Sequence, residues 1–275
     1  MRAHPAPRHC IVPGAVLLAW SLACTAADAP PATRTVTVFA AASLEAPFRE
    51  LAGLMARKAP GTTVSLTVAG SQQLASQLVR GAVADVFAAA DREAMQFAAD
   101  RGLVLQPTPF AGNRLVIVAV DRPDMATILV SPLNLATPGL KLVLAAPEVP
   151  AGRYARAMLL NLSRVPGYGP DFPERVLANV RTDEADVRQV LARVQRGEAD
   201  AGIVYRSMVA GPDSLAARRG IRLMPIPAAA DARPTYVIAR LRSVDDTASA
   251  DAFIRLVRSA EGQAILARHG FAPPP

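Results

Sequence analysis

The sequence predicts an α/β protein whose two lobes enclose a ligand cleft. Three observations lead to this class. From Thr35 onward, short apolar strands alternate with helices of amphipathic spacing. A second set of strands and helices occupies the middle of the chain. A C-terminal strand and helix then return to the first lobe. Because ligand pockets favour the interface between such lobes, we expect the site between them.

The chain begins with the pattern of a secretion signal. A basic start precedes an interrupted apolar run over residues 11–23, and small residues follow. The run is shorter than the roughly 20 apolar residues that a membrane span needs. We therefore expect a signal peptide over residues 1–27, a tail over residues 28–34 and a periplasmic location. A lipid anchor at Cys24 is the alternative.

The first lobe is predicted from strands that each lead into a helix. The predicted strands cover residues 35–40, 64–68 and 85–90. The helices begin near Leu44, at Ser71 and after Asp91, which is placed to cap the third one. This order implies a parallel sheet with its ligand site at the carboxyl ends of the strands.

A second β/α unit follows. Its predicted strands are 115–120, 141–146, 201–205 and 221–226, and its helices are 151–162 and one around 187–194. Residues 121–139 and 163–173 are interpreted as loops because they are rich in proline or glycine. A strand at 235–241 and a helical region at 250–268 close the chain. The predicted division is lobe I over 35–114 and 226–275, and lobe II over 115–225.

Composition narrows the function classes. Hydrophobic residues make up 51% of the 275 residues, which argues against disorder for most of the chain. Both cysteines lie in the predicted leader, as do two of the three histidines, and only His269 remains. One histidine cannot build a His/Cys zinc site or a cysteine–histidine pair. We therefore expect no catalytic residues, no metal site of protein side chains and no cofactor.

Despite the net charge of +7, the sequence does not indicate a nucleic-acid partner. Arginines are scattered along the chain, and aromatic residues make up only 5%. A mild positive field that attracts a small anion is one interpretation. Solvated arginines that reflect only coding bias are an equally good one.

Ser43 and Ser71 stand where the first two strands give way to helices. Helix N-termini carry unpaired N–H groups and the positive end of the helix dipole, and both favour anions. Each serine could also be a plain helix N-cap. Their occurrence at successive strand ends of one sheet favours a shared anion site.

Lobe II offers three weaker candidates. Ala151 follows Pro150 at a predicted helix start, so any role there belongs to its backbone N–H group, and a plain helix start is the alternative. Val187 begins another helix and could simply be a core residue. Tyr205 ends an apolar strand, where its hydroxyl could donate into the cleft or be satisfied in the core.

The chain resembles the periplasmic molybdate-binding proteins of molybdate ABC transporters. Five blocks carry the resemblance and occur in this order: VFAAASL (38–44), ADVF (84–87) with AD (90–91), GNRLV (112–116), VPAGRYA (149–155) and GIVY (202–205). The similarity extends from about Thr35 to Phe271. It implies a type II periplasmic-binding-protein fold that holds a tetrahedral oxyanion between two lobes.

The resemblance also implies roles for the candidate residues. Ser43 and Ser71 would contact molybdate through hydroxyl and N–H groups, Ala151 and Val187 through N–H groups, and Tyr205 through its hydroxyl. Molybdenum would be held only as the oxyanion, by these same residues. The implied partner is an inner-membrane ABC permease, and we expect a monomer. Arg206 departs from the small residue that the family often has there, and it could alter the anion preference.

The physics of hydrogen bonding suits the implied ligand. A dianion without protons is satisfied by donors alone, whereas hydrogenphosphate also needs an acceptor and would be rejected. Tungstate has nearly the size of molybdate, so we expect both to bind, and sulfate must be excluded by size. A receptor for sulfate or another small anion is the alternative. Two further alternative functions are a serine hydrolase and a non-transport module that acts in sensing or adhesion.

Overall fold

The computed structural model describes Met1, Ala3, residues 34–211 and residues 219–274. The chain divides into two units, Met1–Ala32 and Thr33–Pro275. The predicted signal peptide, including Cys24, therefore lies outside the described residues except for Met1 and Ala3. Of the predicted tail only Arg34 is described, and it already belongs to the first strand.

The described residues form two mixed five-stranded sheets with helices packed against them. The strands in chain order are β1 (Arg34–Ala41), β2 (Thr62–Ala69), β3 (Val86–Ala89), β4 (Val104–Gly112), β5 (Leu115–Val120), β6 (Leu142–Ala145), β7 (Val180–Glu184), β8 (Ala201–Tyr205), β9 (Ile221–Met224) and β10 (Thr235–Leu241). The first sheet has the order β2-β1-β3-β10-β4, and the second has the order β7-β6-β8-β5-β9.

Most helices connect these strands, and the last two follow β10. They are α1 (Glu45–Lys58), α2 (Ser71–Val79), α3 (Arg92–Ala99), α4 (Pro123–Ile128), α5 (Pro150–Leu162), α6 (Phe172–Leu177), α7 (Val187–Gln195), α8 (Ser207–Ala210), α9 (Thr247–Arg258) and α10 (Ala260–Arg268). We call the first sheet with its helices lobe I and the second sheet with its helices lobe II. The predicted two-lobe α/β fold is confirmed. The predicted residue boundaries of the lobes stay a prediction.

The first sheet is parallel only in part. Strand β1 pairs in parallel with β2 and β3, as the alternation of strands and helices predicts. Strand β10 lies between β3 and β4 and runs antiparallel to both, so the sheet as a whole is mixed. The reason is that β10 comes from the C-terminal segment, which enters the sheet from lobe II and needs no crossover helix.

Several elements were not predicted. Residues 121–139 contain α4 and a 3-10 helix at Pro132–Ala136, because a proline at the first turn of a helix is preorganised rather than disruptive. Strand β4 carries two prolines at the edge of its sheet, where the missing N–H groups are tolerated. The predicted last helix is two helices, divided at Ser259, whose hydroxyl accepts the N–H of Gly262 at 3.1 Å.

Candidate functional site

One cavity between the two lobes brings together all five residues that the sequence singled out. It contains about 220 Å³ of space free of atoms, including its open mouth. Lobe I contributes Ser43 and Ser71, and lobe II contributes Ala151, Val187 and Tyr205. The remaining lining residues are mostly small: Ala41, Ala42, Gly70, Ala90, Val149, Pro150 and Asp186.

Ser43 lies at the carboxyl end of β1, in the short 3-10 helix Ala42–Leu44 that leads into α1. Its side chain is buried, and its Oγ lies 2.7 Å from the Oη of Tyr236 on β10. It caps neither helix, because the N-cap positions of the 3-10 helix and of α1 are Ala41 and Leu44. The plain N-cap alternative for Ser43 is therefore wrong.

Ser71 is the first residue of α2 and is 1% exposed. Its Oγ accepts the backbone N–H of Ala90 at 3.0 Å, so the proton of its hydroxyl remains available to a ligand. Gly70 precedes it at a point where the lobes approach closely. A Cβ atom at Gly70 would lie 2.8 Å from the carbonyl oxygen of Ala185, which belongs to lobe II. A side chain there would hold the lobes apart.

Ala151 and Val187 lie in the first turns of α5 and α7, where backbone N–H groups have no partner within the helix. Asp186 caps α7 by accepting the N–H groups of Arg188 and Gln189 at 2.8 and 3.2 Å. That capping leaves the N–H of Val187 unused. Both helices direct the positive ends of their dipoles at the cavity, and this favours an anion there.

Tyr205 ends β8 and is buried, at 1% exposure. Its hydroxyl has no hydrogen-bond partner among the described residues, although a buried tyrosine hydroxyl normally has one. Burial raises the pKa of Tyr205 well above its ordinary value, so the group stays a neutral donor. An unpartnered buried donor at a cavity indicates that a ligand acceptor belongs there.

Among the described residues, the lining of this cavity contains no arginine or lysine, although a cationic side chain is common at anion sites. Its single charged residue is Asp186, whose two carboxylate oxygens already accept from Arg188 and Gln189. The cavity therefore presents hydroxyl and backbone N–H donors, and the oxygens of its one carboxylate are already in use.

Arg206 and His269 lie away from this cavity. Arg206 is exposed and lines a separate cavity together with Arg114 and Arg233. The Nε2 of His269 lies 2.9 Å from the Oε2 of Glu50, so this histidine pairs with a carboxylate rather than with either serine. Among the described residues neither serine has a histidine to act as its base.

Ion pairs join the two lobes beside the cavity. Arg153 of α5 pairs with buried Asp91, and its Nε lies 2.9 Å from the Oε2 of Glu93. Arg188 of α7 lies 2.6 Å from the Oε2 of Glu45 on α1. These pairs place the lobes in contact on both flanks of the cavity.

In the part of the chain that the structure describes, no group of three or more His, Cys, Asp or Glu side chains is placed to hold a metal ion. No described helix is long and apolar enough to cross a membrane.

The structure adds two residues that the sequence did not single out. Tyr236 and Asn113 lie behind Ser43 and form hydrogen bonds with it or with each other. Asn113 falls within a block that carries the family resemblance, but nothing local gave it a role. Tyr236 lies 193 residues from Ser43 along the chain, so only the fold could bring them together.

Comparison with known proteins identifies the family. Residues 36–272 match the family model of the bacterial extracellular solute-binding proteins. The chain belongs to this family. The molybdate-binding protein ModA of Mycobacterium bovis is 36% identical to it over 243 residues, which is 88% of this chain and 85% of that protein. The predicted resemblance to molybdate-binding proteins is therefore confirmed.

Solved structures share the fold of this solute-binding protein. The periplasmic molybdate-binding protein of Azotobacter vinelandii matches with a TM-score of 0.74 at 20% identity, over 87% of this chain and 100% of that one. The sulfate-binding protein SubI of Mycobacterium tuberculosis matches with a TM-score of 0.75 at 17% identity, over 87% of each chain. Members of the family are solute-binding proteins, not enzymes, and act outside the cytoplasm.

Proposed function

We propose that this protein captures molybdate outside the inner membrane, binds tungstate as well, and delivers the oxyanion to an ABC permease. The observation that carries the proposal is the convergence of Ser43, Ser71, Ala151, Val187 and Tyr205 on one cavity whose lining has hydroxyl and backbone N–H donors and no cationic side chain. The similarity to ModA supports molybdate as the ligand.

The donor set suits a proton-free tetrahedral dianion. Each hydrogen bond to a charged group contributes about 1.5–3 kcal/mol, so five groups can retain an oxyanion without a cationic side chain. Hydrogenphosphate carries a proton that needs an acceptor, and the carboxylate of Asp186 is already in use. Leaving that proton unpaired disfavours hydrogenphosphate. Molybdate and tungstate offer the same charge and nearly the same size, so the site has no means to separate them strongly.

Delivery to a permease requires secretion and a lobe arrangement that a membrane partner can recognise. We propose that the leader over residues 1–27 directs export to the periplasm and that the mature protein acts as a monomer. The lipid anchor at Cys24 is the alternative to a free periplasmic protein. The ion pairs of Arg153 and Arg188 across the cavity support a closed lobe arrangement as the state that the permease receives.

Calorimetric titration of the mature protein with molybdate, tungstate, sulfate and phosphate tests the ligand. We expect molybdate and tungstate to bind with similar affinity, sulfate much more weakly and phosphate not at all. Binding of sulfate without binding of molybdate would overturn the assignment.

A receptor for sulfate is the second candidate. The observation in its favour is that the donors of this cavity satisfy any tetrahedral dianion without protons, so only size separates sulfate from molybdate. Contact of Arg206 with the ligand would also have favoured it, but Arg206 lines a different cavity. The titration above distinguishes the two candidates directly.

A further inference from the structure

A chain of hydrogen bonds lies behind Ser43, outside the cavity lining. The Oγ of Ser43 is 2.7 Å from the Oη of Tyr236. The Nδ2 of Asn113 donates to this same Oη at 3.2 Å and to the Oγ of Ser207 at 2.8 Å. Neither Asn113 nor Tyr236 lines the cavity, so their hydrogen bonds act on a ligand only through Ser43.

The direction of this chain is fixed at one end by a group that can only donate. The backbone N–H of Arg114 donates to the Oδ1 of Asn113 at 2.9 Å, which identifies Oδ1 as the acceptor of the amide. Both protons of Nδ2 are then used by Ser207 and Tyr236. The hydroxyl proton of Tyr236 has no other acceptor among the described residues, so the arrangement that leaves no buried proton unpaired has Tyr236 donating to the Oγ of Ser43. The proton of Ser43 has no other described partner and is left to the cavity.

We propose that Asn113 and Tyr236 are positioning residues that make Ser43 an obligatory hydrogen-bond donor, and that they thereby select oxyanions without protons. The proposal rests on the proposed function, because it assigns the selectivity of that same cavity. A serine hydroxyl by itself can donate or accept. With Tyr236 donating to it, Ser43 offers its proton to the ligand.

The surroundings hold the chain in place. Tyr236 is fully buried, and its ring makes edge contacts with Phe110, Tyr205 and Phe271 at centroid distances of 6.2, 5.9 and 5.2 Å. Burial also raises the pKa of Tyr236 above its ordinary value, so its hydroxyl keeps the proton that the chain requires. Asn113 is buried between the end of β4 and the start of β5, where the backbone passes from lobe I to lobe II.

The hydroxyl of Ser71 is also oriented as a donor toward the cavity, but by a different neighbouring group. The backbone N–H of Ala90 donates to its Oγ, so its proton is also directed away from that bond. Both serines of the cavity are thus donors for a structural reason. A backbone amide orients Ser71 and cannot be removed by mutation of a side chain, whereas Tyr236 orients Ser43 and can be.

The test is Tyr236→Phe, which keeps the ring contacts and removes only the hydroxyl. Ser43 then becomes free to accept. We expect molybdate affinity to fall about 10-fold, the loss that corresponds to part of one hydrogen bond to a charged group. We also expect phosphate, which the wild-type protein should not bind, to bind measurably to this variant in calorimetry at a mildly alkaline pH where phosphate is mainly hydrogenphosphate. Tyr168→Phe, at a tyrosine away from the cavity, is the matched control and should change neither value.

A double-mutant cycle separates positioning from a structural role. In a Ser43→Ala background, Tyr236→Phe should cost no further molybdate affinity, because its target is gone. An equal loss in both backgrounds would overturn the proposal, as would unchanged affinity and unchanged selectivity in Tyr236→Phe alone. Thermal unfolding of each variant verifies that it is folded. Asn113→Ala, which removes the donor to Tyr236, should relax the selectivity in the same direction and serves if Tyr236→Phe is unstable.

The wild-type titration keeps the two proposals distinguishable. If the wild-type protein binds sulfate but not molybdate, the proposed function fails, and the cycle is measured with sulfate to test the positioning role by itself. If it binds molybdate and the cycle is additive, only the positioning role fails. Binding of no oxyanion by the wild-type protein would overturn both.

Discussion

The two lobes supply the cavity with donors of different kinds. Lobe I contributes the hydroxyl groups of Ser43 and Ser71. A hydroxyl group can donate or accept a hydrogen bond, and a hydrogen bond from a neighbouring group fixes which of the two it does. Lobe II contributes the backbone N–H groups of Ala151 and Val187, which can only donate, and the hydroxyl of Tyr205. The hydroxyls of lobe I therefore need supporting hydrogen bonds, and the amides of lobe II need only a correctly placed helix. Substitutions in lobe I should therefore change mainly which anion the cavity selects. Substitutions in lobe II should change mainly the positions of the donors.

Removing both hydroxyls of lobe I should have the largest effect. Ser43→Ala with Ser71→Ala deletes two hydrogen bonds to a charged ligand, which together contribute roughly 3–6 kcal/mol. We expect molybdate affinity to fall about 100-fold or more by calorimetry. Ser76→Ala is the control, because the Ser76 hydroxyl donates to the carbonyl of Gln72 within α2 and does not line the cavity. Unchanged affinity in the double variant would exclude this cavity as the anion site.

Gly152→Ala should disturb lobe II through backbone placement. A Cβ atom there would overlap the carbonyl oxygens of Ala145 and Ala146, so the start of α5 must shift and carry the N–H of Ala151 with it. Overpacking of this kind costs about 1–3 kcal/mol of unfolding free energy. We expect a lower melting temperature and about 10-fold weaker molybdate binding.

Gly53→Ala is the matched control for this change. Gly53 lies inside α1, where a Cβ atom would meet nothing closer than 3.6 Å. Alanine is the better helix former, so this variant should keep its affinity and be equally or more stable. If Gly152→Ala also keeps full affinity and stability, the placement of α5 does not limit binding.

Arg153→Gln should weaken binding through an unbalanced charge. Asp91 is buried next to Ala90 of the cavity lining, and Arg153 of lobe II is its ion-pair partner. Without that partner, the carboxylate repels an incoming anion and the lobes lose a contact. We expect a several-fold loss of molybdate affinity, about 10-fold at low salt and less at high salt. Arg164→Gln, at an exposed arginine near the end of α5, should leave the affinity and its salt dependence unchanged.

Arg206→Ala should have the smallest effect. This arginine lies outside the cavity lining, and a charge at an exposed position is strongly screened. We expect the affinities for molybdate and sulfate to stay within about 2-fold of the wild type, a difference that corresponds to less than 0.5 kcal/mol. A change in the ratio of the molybdate and sulfate affinities would show that Arg206 does affect which anion binds.

The sequence was a good guide wherever a local pattern carried the information. Strands β5, β8 and β10 were predicted with their observed bounds because long β-branched or apolar runs end at clear breaks. Asp91 was predicted to cap α3, and its Oδ1 accepts the N–H of Ala94 at 2.9 Å. The five candidate residues were singled out because strand ends and helix starts are local signals, and the family resemblance then selected among their possible roles. Their contact with the ligand stays a prediction.

The remainder depended on contacts between distant parts of the chain. Strand β7 is mostly exposed at the edge of the second sheet, so its sequence lacks the apolar alternation of a strand. The position of β10 in the first sheet follows from the return of the chain after lobe II, which no local pattern encodes. The hydrogen bond between Ser43 and Tyr236 joins residues 193 positions apart, so the orientation of that hydroxyl could not be read from either neighbourhood.

The most direct test of a cavity that holds its ligand by donors alone is the number of protons exchanged when molybdate binds. Calorimetric titrations of the wild-type protein in buffers of different ionisation enthalpy, at one mildly alkaline pH, measure that number. Hydroxyl and backbone N–H donors do not titrate there, and burial moves the pKa of Tyr205 further upward, away from that pH. We predict the same binding enthalpy in every buffer, which means that no proton is taken up or released. A binding enthalpy that changes with the buffer would show that a proton accompanies the anion and would contradict the account.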